Sequence, residues 1–119
     1  MENNMKYLVN SFSLNMLANP DETFGVNRPI SKTDIPQDVV SAIGHADTAA
    51  VVSADLGWEI HPNRVSVSLK NGDKIYVAQY IGPRLEEGAV LLPQGAEIKY
   101  FSVTVYPTSW IDWQLAVGN

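Results

Sequence analysis

The sequence predicts a single α+β domain, in which helices pack on a mixed or antiparallel β-sheet. Its 119 residues are a common size for one domain, and a hydrophobic fraction of 45% is enough to form a core. Apolar residues recur at helical spacing in the first half, whereas they alternate with polar residues from residue 65 onward. This change of period predicts helices that come early and strands that come mostly late.

The first thirty residues predict a strand, a short helix and a second extended segment. Residues 1–5 are expected to be a flexible lead-in, and the apolar residues 7–9 to form a short strand. Ser13 is a favourable N-cap for a short helix that reaches Leu17. Residues 23–30 are expected to be extended, and Pro29 places them at an edge or an end of the sheet.

Two further helices are expected between residues 33 and 57. The first begins at residue 33 or 34, ends near Gly44, and has apolar residues at helical spacing, namely Ile35, Val39, Val40 and Ile43. The second begins at residue 47 or 48 and ends at Gly57. His45 is therefore expected in an elbow between two helices.

The second half is expected to supply most of the sheet. Residues 65–69 alternate between apolar and polar side chains, and Asn71-Gly72 is a strong hairpin signal before a return strand at residues 74–81. Another long strand is expected at residues 97–106. Trp110 and Trp113 lie in a tail, residues 107–119, that is expected to pack on the sheet or on a neighbouring subunit.

Composition excludes several classes of function. A net charge of −5 argues against coating of DNA or RNA, which requires a basic face. With no cysteine there is no disulfide framework and no thiolate metal site, and His45 and His61 lack the spacing of a metal motif. No apolar run has membrane-spanning length, and the N-terminus lacks a signal-peptide pattern. We therefore expect an intracellular protein without cofactor, metal, membrane or long nucleic acid.

Two motifs carry the chemistry that remains. Residues 42–48 place His45 after a glycine, and residues 82–88 place Arg84 and two carboxylates, Glu86 and Glu87, on a turn after a strand. Histidine, arginine and carboxylate at loop ends are groups that bind or cleave a phosphodiester. Each also has a structural alternative, since His45 can cap a helix and a glutamate pair can simply be solvated.

With these elements placed, the chain resembles a family of small proteins from archaeal viruses, phages and prophages. That family contains the type III anti-CRISPR ring nucleases and the Thoeris anti-defence sponge proteins. The resemblance extends from residue 6 to residue 106 and depends on four blocks in the same order, residues 7–17, 43–48, 63–65 and 84–88. It implies a mixed sheet with packed helices, assembled as a homo-oligomer, either a dimer or a hexamer of dimers.

The resemblance also implies a ligand, a cyclic nucleotide second messenger made by prokaryotic immune systems. Ring nucleases cleave cyclic tetra-adenylate without metal, and His45 and Glu87 align with their catalytic histidine and glutamate. The sponges bind glycocyclic ADP-ribose without cutting it. The residues expected to contact ligand are Asn10, Ser11, Ser13, Asn15, Gly44, His45, Arg64, Tyr80, Arg84 and Glu87.

The segment after Gly88 distinguishes cleavage of the ligand from its sequestration. Ring nucleases follow the Arg-Leu-Glu-Glu-Gly block with a helix that helps to enclose the ligand, whereas residues 89–96 here are short and contain Pro93 and Gly95. This favours the sponge-like branch. We therefore expect an anti-defence protein that sequesters a cyclic nucleotide in the cytoplasm of the infected or lysogenic host. The alternatives are a metal-independent ring nuclease and an interaction protein without nucleotide ligand.

Overall fold

A computed structural model describes residues 4–19 and 22–106, and it confirms the α+β class. A five-stranded mixed sheet has the order β2-β5-β4-β1-β3. Strand β1 is parallel to β3 and β4, whereas β5 is antiparallel to β4 and β2. The strands are β1 Lys6–Val9, β2 Thr23–Asn27, β3 Val40–Ser41, β4 Lys74–Ile81 and β5 Glu97–Tyr106, and helix α1 is Ala46–Leu56.

The sheet has an apolar cluster on each face. On one face, which we call the helix face, Ala49 and Val52 of α1 pack against Leu8, Tyr76 and Tyr100. On the opposite face, the segments at residues 12–17 and 67–69 contribute apolar side chains that cover part of the sheet. Strand β4 lies at the centre and is buried from both sides over residues 75–78. The loop that follows β4 is therefore connected to a strand buried on both faces.

The predicted helix that ends at Gly57 is confirmed as α1. Gly57 has φ of 85° and donates its amide hydrogen to the carbonyl of Ser53, which is the left-handed ending that glycine adopts without steric cost. At the other end, His45 is the N-cap in an extended conformation, and its side chain makes no capping bond. The helix therefore begins one residue earlier than the sequence predicted.

The predicted helix at residues 33–43 is wrong. The structure has instead a 3₁₀ helix at Lys32–Asp34 and the short strand β3. Val39 and Ile43 both face the helix-face core, but a separation of four residues also returns to the same side of an extended chain. Val40, which the helix would have buried, is instead an exposed residue of β3 opposite Tyr7 of β1. The expected two-helix elbow at His45 is consequently wrong as well.

The predicted strand at residues 65–69 is also wrong, although its alternation is real. Leu69 is buried, Val67 is half-buried and Val65 is exposed. Both edges of β4 are already paired, with β1 and β5, so no place remains for a hairpin partner. Leu69 forms only an isolated bridge with Leu17. Asn71-Gly72 is a turn as predicted, but it leads into β4 from an unpaired segment.

The remaining early predictions are confirmed in modified form. Ser13 caps a 3₁₀ helix, Leu14–Met16, by accepting a hydrogen bond from the Asn15 amide. Strand β2 is an edge strand that ends at Asn27, before Pro29, as the proline indicated. Of the lead-in predicted at residues 1–5, Met5 is attached to the rest of the structure, since its amide donates to Asp73 Oδ1 at 2.9 Å. Residues 1–3 and the tail with Trp110 and Trp113 lie outside the described residues.

A polar network links the helix to the sheet. The hydroxyl of Tyr100 in β5 donates to Asp55 Oδ2 at 2.6 Å, and Lys32 Nζ donates to the Asp55 carbonyl oxygen at 3.0 Å. Burial raises the pKa of Tyr100 above its usual range, and the hydrogen bond and the charge of Asp55 add to the effect. The last full turn of α1 is thereby held against β5.

Candidate functional site

His45 lies where the chain passes from β3 to α1. Gly44 and His45 follow the strand, and the first amides of the helix come directly afterwards. The imidazole is exposed and makes no hydrogen bond with the residues that the structure describes. It is therefore free to contact a ligand near a helix N-terminus, where unpaired amide donors attract anions.

A groove surrounds this junction and brings several predicted ligand residues together. It has a volume of about 510 Å³ and is lined by Asn10, Ser11, Gly44, His45 and Arg64, together with Ala42, Val65 and Ser66. We call this the β3–α1 groove. Residues 10–11 follow β1, and residues 64–66 run beside the β3–α1 junction. Three of the four blocks named above, separate in sequence, thus meet at one site.

Backbone hydrogen bonds hold the walls of the groove. The Ala42 amide donates to the carbonyl of Leu8 at 2.8 Å, and the Asn63 amide donates to the carbonyl of Ile43 at 2.8 Å. The Asn63 side chain also donates to the Ser41 carbonyl at 2.7 Å. Because Leu8 and Ile43 are fully buried, these bonds attach the groove directly to the core.

Arg64 packs across Gly44. Its Nε donates to the Gly44 carbonyl at 3.2 Å, and a Cβ at position 44 would lie 3.0 Å from Arg64 Cγ. No ion pair with a described residue occupies the guanidinium, so its terminal nitrogens remain available as donors. Glycine at position 44 therefore permits the approach that places a free cationic fork beside His45.

A second cavity of about 310 Å³ continues from the groove. The two cavities share the walls formed by Asn10, Ser11 and residues 65–66, and the second adds Ser13 and Asn15. Val9, Met16 and Val67 give it apolar surface. The combined space offers hydroxyl and amide groups along one side and apolar contacts along another.

Arg84 and Glu87 lie in a different place. They line a cavity of about 450 Å³ in the loop at residues 82–96, which connects β4 and β5. Tyr80 supports this loop, since its hydroxyl donates to the carbonyl of Pro83. No hydrogen bond or ion pair joins Glu87 to His45 among the residues described. The structure therefore does not assemble the predicted histidine–glutamate pair within one cavity.

One hydrogen bond connects the loop to the helix that borders the groove. The Gly88 amide donates to Asp47 Oδ1 at 3.1 Å, across 41 positions of sequence. Asp47 lies in the first turn of α1, and Gly88 has φ of 81°, a conformation that glycine adopts readily. Sequence reasoning treated Asp47 only as a helix start, although it belongs to the same motif as His45.

Within the described ranges, no three histidine or acidic side chains cluster closely enough to hold a metal ion. Among those same residues, no helix is long and apolar enough to cross a membrane.

Comparison with known proteins gives the family. The STIV B116-like family matches residues 6–105, which is most of the chain. The chain belongs to the STIV B116-like family. Protein ORF116 of Acidianus filamentous virus 1 is 32% identical over 89 residues, covering 71% of this chain and 76% of that protein.

A solved structure of a similar viral protein has the same fold. B116 of Sulfolobus turreted icosahedral virus superposes with a TM-score of 0.70 at 29% identity, covering 84% of this chain and 98% of that one. These relatives are proteins of archaeal viruses, which confirms the viral part of the sequence prediction. Neither relative's description states a ligand or an activity.

Proposed function

We propose that this protein binds and sequesters a cyclic nucleotide immune signal of the glycocyclic ADP-ribose class, and thereby acts against a host defence system. The observation that carries the proposal is the β3–α1 groove, in which an arginine without an ion-pair partner among the described residues, an exposed histidine and a helix N-terminus converge. The resemblance to Thoeris sponge proteins supplies the ligand class. The host cytoplasm is the compartment in which such a signal would be met.

The groove offers a group for each part of such a ligand. Arg64 and His45 are suited to phosphate oxygens, because a guanidinium can donate two parallel hydrogen bonds to one phosphate. Ser11 and Asn15 supply hydroxyl and amide groups for ribose. Apolar walls such as Met16 and Val67 suit the face of a base. The combined cavities fall within the range of sizes usual for small-molecule sites.

Sequestration is favoured over cleavage by the position of Glu87. A carboxylate can orient a histidine that acts as a general acid, but no hydrogen bond between the described residues joins Glu87 to His45, and the two line different cavities. His45 alone can bind a phosphate but has no described carboxylate partner. A cyclic oligonucleotide remains a second ligand class within the proposal.

The alternative of a metal-independent ring nuclease depends on one observation. Gly88, next to Glu87, is hydrogen-bonded to Asp47, two residues after His45 in sequence. In this alternative, a second copy of the chain or bound ligand brings Glu87 to His45. The homo-oligomer itself, a dimer or a hexamer of dimers, remains a prediction that sedimentation analysis would test.

The decisive experiment is a thermal-shift panel of cyclic nucleotides, followed by chromatography of the ligand recovered after denaturation. A ligand at 100 times its Kd should stabilise the protein by about 2.7 kcal/mol. Intact ligand would support sequestration, whereas a linear product would overturn it in favour of the nuclease. If no cyclic nucleotide raises Tm, the proposal fails and the interaction protein is favoured.

Matched variants locate the binding site. His45→Ala and Arg64→Gln should each weaken binding at least about tenfold, the equivalent of one charge-assisted hydrogen bond. His61→Ala is the control, because His61 is exposed outside the groove and only approaches Glu59 at 3.3 Å. Equal affinity in His45→Ala and His61→Ala would contradict the assigned groove.

A further inference from the structure

Another cavity lies away from the β3–α1 groove and shares no lining residue with it. Its volume is about 740 Å³, and Val26, Arg28, Gln79, Lys99 and Phe101 contribute to its walls. We call it the β2–β5 cavity. Its position was not anticipated from the sequence, which offers no motif there.

Strand register places the five lining residues named above on the sheet face opposite α1, whereas Ile30, Ile98 and Tyr100, which also line the cavity, belong to the helix-face cluster. Gln79 pairs with Lys99, and Val26 pairs with Val103. Side chains two residues apart share a face, so Lys99 and Phe101 lie on the same side as buried Val103. That side is the one covered by residues 12–17 and 67–69.

The cover does not extend over this end of the sheet. Its apolar residues pack against Val9, Ile75, Val77, Val103 and Val105, and Val26 remains 50% exposed. Ile81, on the same face by register as Gln79, is also exposed. The cavity therefore has apolar side chains, Val26 and Phe101, and two cationic side chains, Arg28 and Lys99, in its walls.

Arg28 and Lys99 have few acidic partners among the described residues. Arg28 makes no ion pair or hydrogen bond within the described part of the chain, and Lys99 Nζ lies 4.0 Å from Glu97 Oε1, at the limit of an ion pair. Both belong to a chain whose net charge is −5, and Glu97 is the acidic residue that the structure places beside Lys99. An anion bound here would neutralise two cations, with Gln79 available as a neutral hydrogen-bonding group.

We propose that the β2–β5 cavity is a second ligand site, which binds a small organic anion that carries a planar ring, of the size of a nucleoside monophosphate. Arg28 and Lys99 contact the anionic group. The ring lies against Phe101 and the aliphatic side chain of Val26. The volume is typical of pockets for ligands of this size. This inference does not depend on the proposed function, because the two sites share no residue.

The test is a titration with adenosine 5′-monophosphate, followed by amide chemical shifts in NMR. Shifts at residues 26–30 and 98–101 are expected, with weaker responses to adenosine alone and to inorganic phosphate alone. The double variant Arg28→Gln/Lys99→Gln should raise Kd at least about tenfold. Lys70→Gln is the matched control, since Lys70 is exposed and does not line the cavity, and it should leave Kd unchanged.

Three outcomes would overturn the inference. The first is an unchanged Kd in the double variant, checked to be folded by its melting temperature. The second is shifts confined to residues 10–11, 44–45 and 64–66, which would place the nucleotide in the β3–α1 groove and support only the proposed function. The third is a dependence of the cavity shifts on protein concentration without ligand, which would show that a second copy covers this face.

Discussion

The β3–α1 groove and the loop at residues 82–96 both adjoin helix α1, but they are held in different ways. The groove is attached to buried residues of β1 and β3 through backbone hydrogen bonds and the Asn63 side chain. The loop depends on the Asp47–Gly88 bond, the Tyr80–Pro83 bond and its own turns. The groove is therefore preorganised for binding, whereas the loop can move without disturbing the core.

This difference bears on function. A sequestering site gains affinity when its groups are already in place, because less conformational entropy is lost on binding. The loop that carries Arg84 and Glu87 is joined to α1 by the hydrogen bond between the Gly88 amide and Asp47 Oδ1. Four predictions test this contrast, in order of expected effect.

The largest effect is expected from Tyr100→Phe, which removes a hydrogen bond between β5 and helix α1, the helix that both regions adjoin. The variant loses a buried hydrogen bond to Asp55, worth about 2 kcal/mol for a charged acceptor. Chemical denaturation should show that loss. A loss below about 0.5 kcal/mol would mean that α1 is held by apolar packing alone.

The same residue predicts a pH dependence. The pKa of Tyr100 is raised in the folded state, so above about pH 10 the unfolded chain loses this proton while the folded chain keeps it. The stability contributed is complete below that pH and declines above it. Denaturation at pH 9 and at about pH 11 should show a smaller decline in Tyr100→Phe than in the parent protein. Equal declines would contradict the shift.

A smaller loss, about 1 kcal/mol, is expected from Asn63→Ala, because the Ser41 carbonyl loses its side-chain donor. Affinity for the groove ligand should fall with it, since residues 64–66 form one wall. Asn27→Ala is the control, because Asn27 is exposed at the end of β2, outside the groove. Unchanged stability would show that the backbone bond of Asn63 suffices.

The smallest global effect is expected from Asp47→Ala, which removes the contact between helix and loop. Unfolding free energy should change by less than about 1 kcal/mol, the usual range for an acidic group in a first helical turn. Hydrogen exchange at Gly88 should nevertheless accelerate, whereas exchange at Asn63 should not. Parallel acceleration at both amides would show that groove and loop open together. Glu86→Gln, on the same exposed loop, is the control and should change neither.

The sequence by itself determined the elements whose signals are local. The strands at residues 74–81 and 97–106 and the end of α1 at Gly57 follow from alternation and backbone preference, which act within a few residues. The sequence also predicted Asn10, His45 and Arg64 as ligand contacts, and the structure brings the three to one groove.

Only the tertiary structure decided which extended segments find a partner. Residues 65–69 have the pattern of a strand, yet β1 and β5 occupy both edges of β4, and Val40 pairs with β1 because that edge is free. Hydrogen-bond partners are chosen by competition across the whole chain, which no local pattern reports.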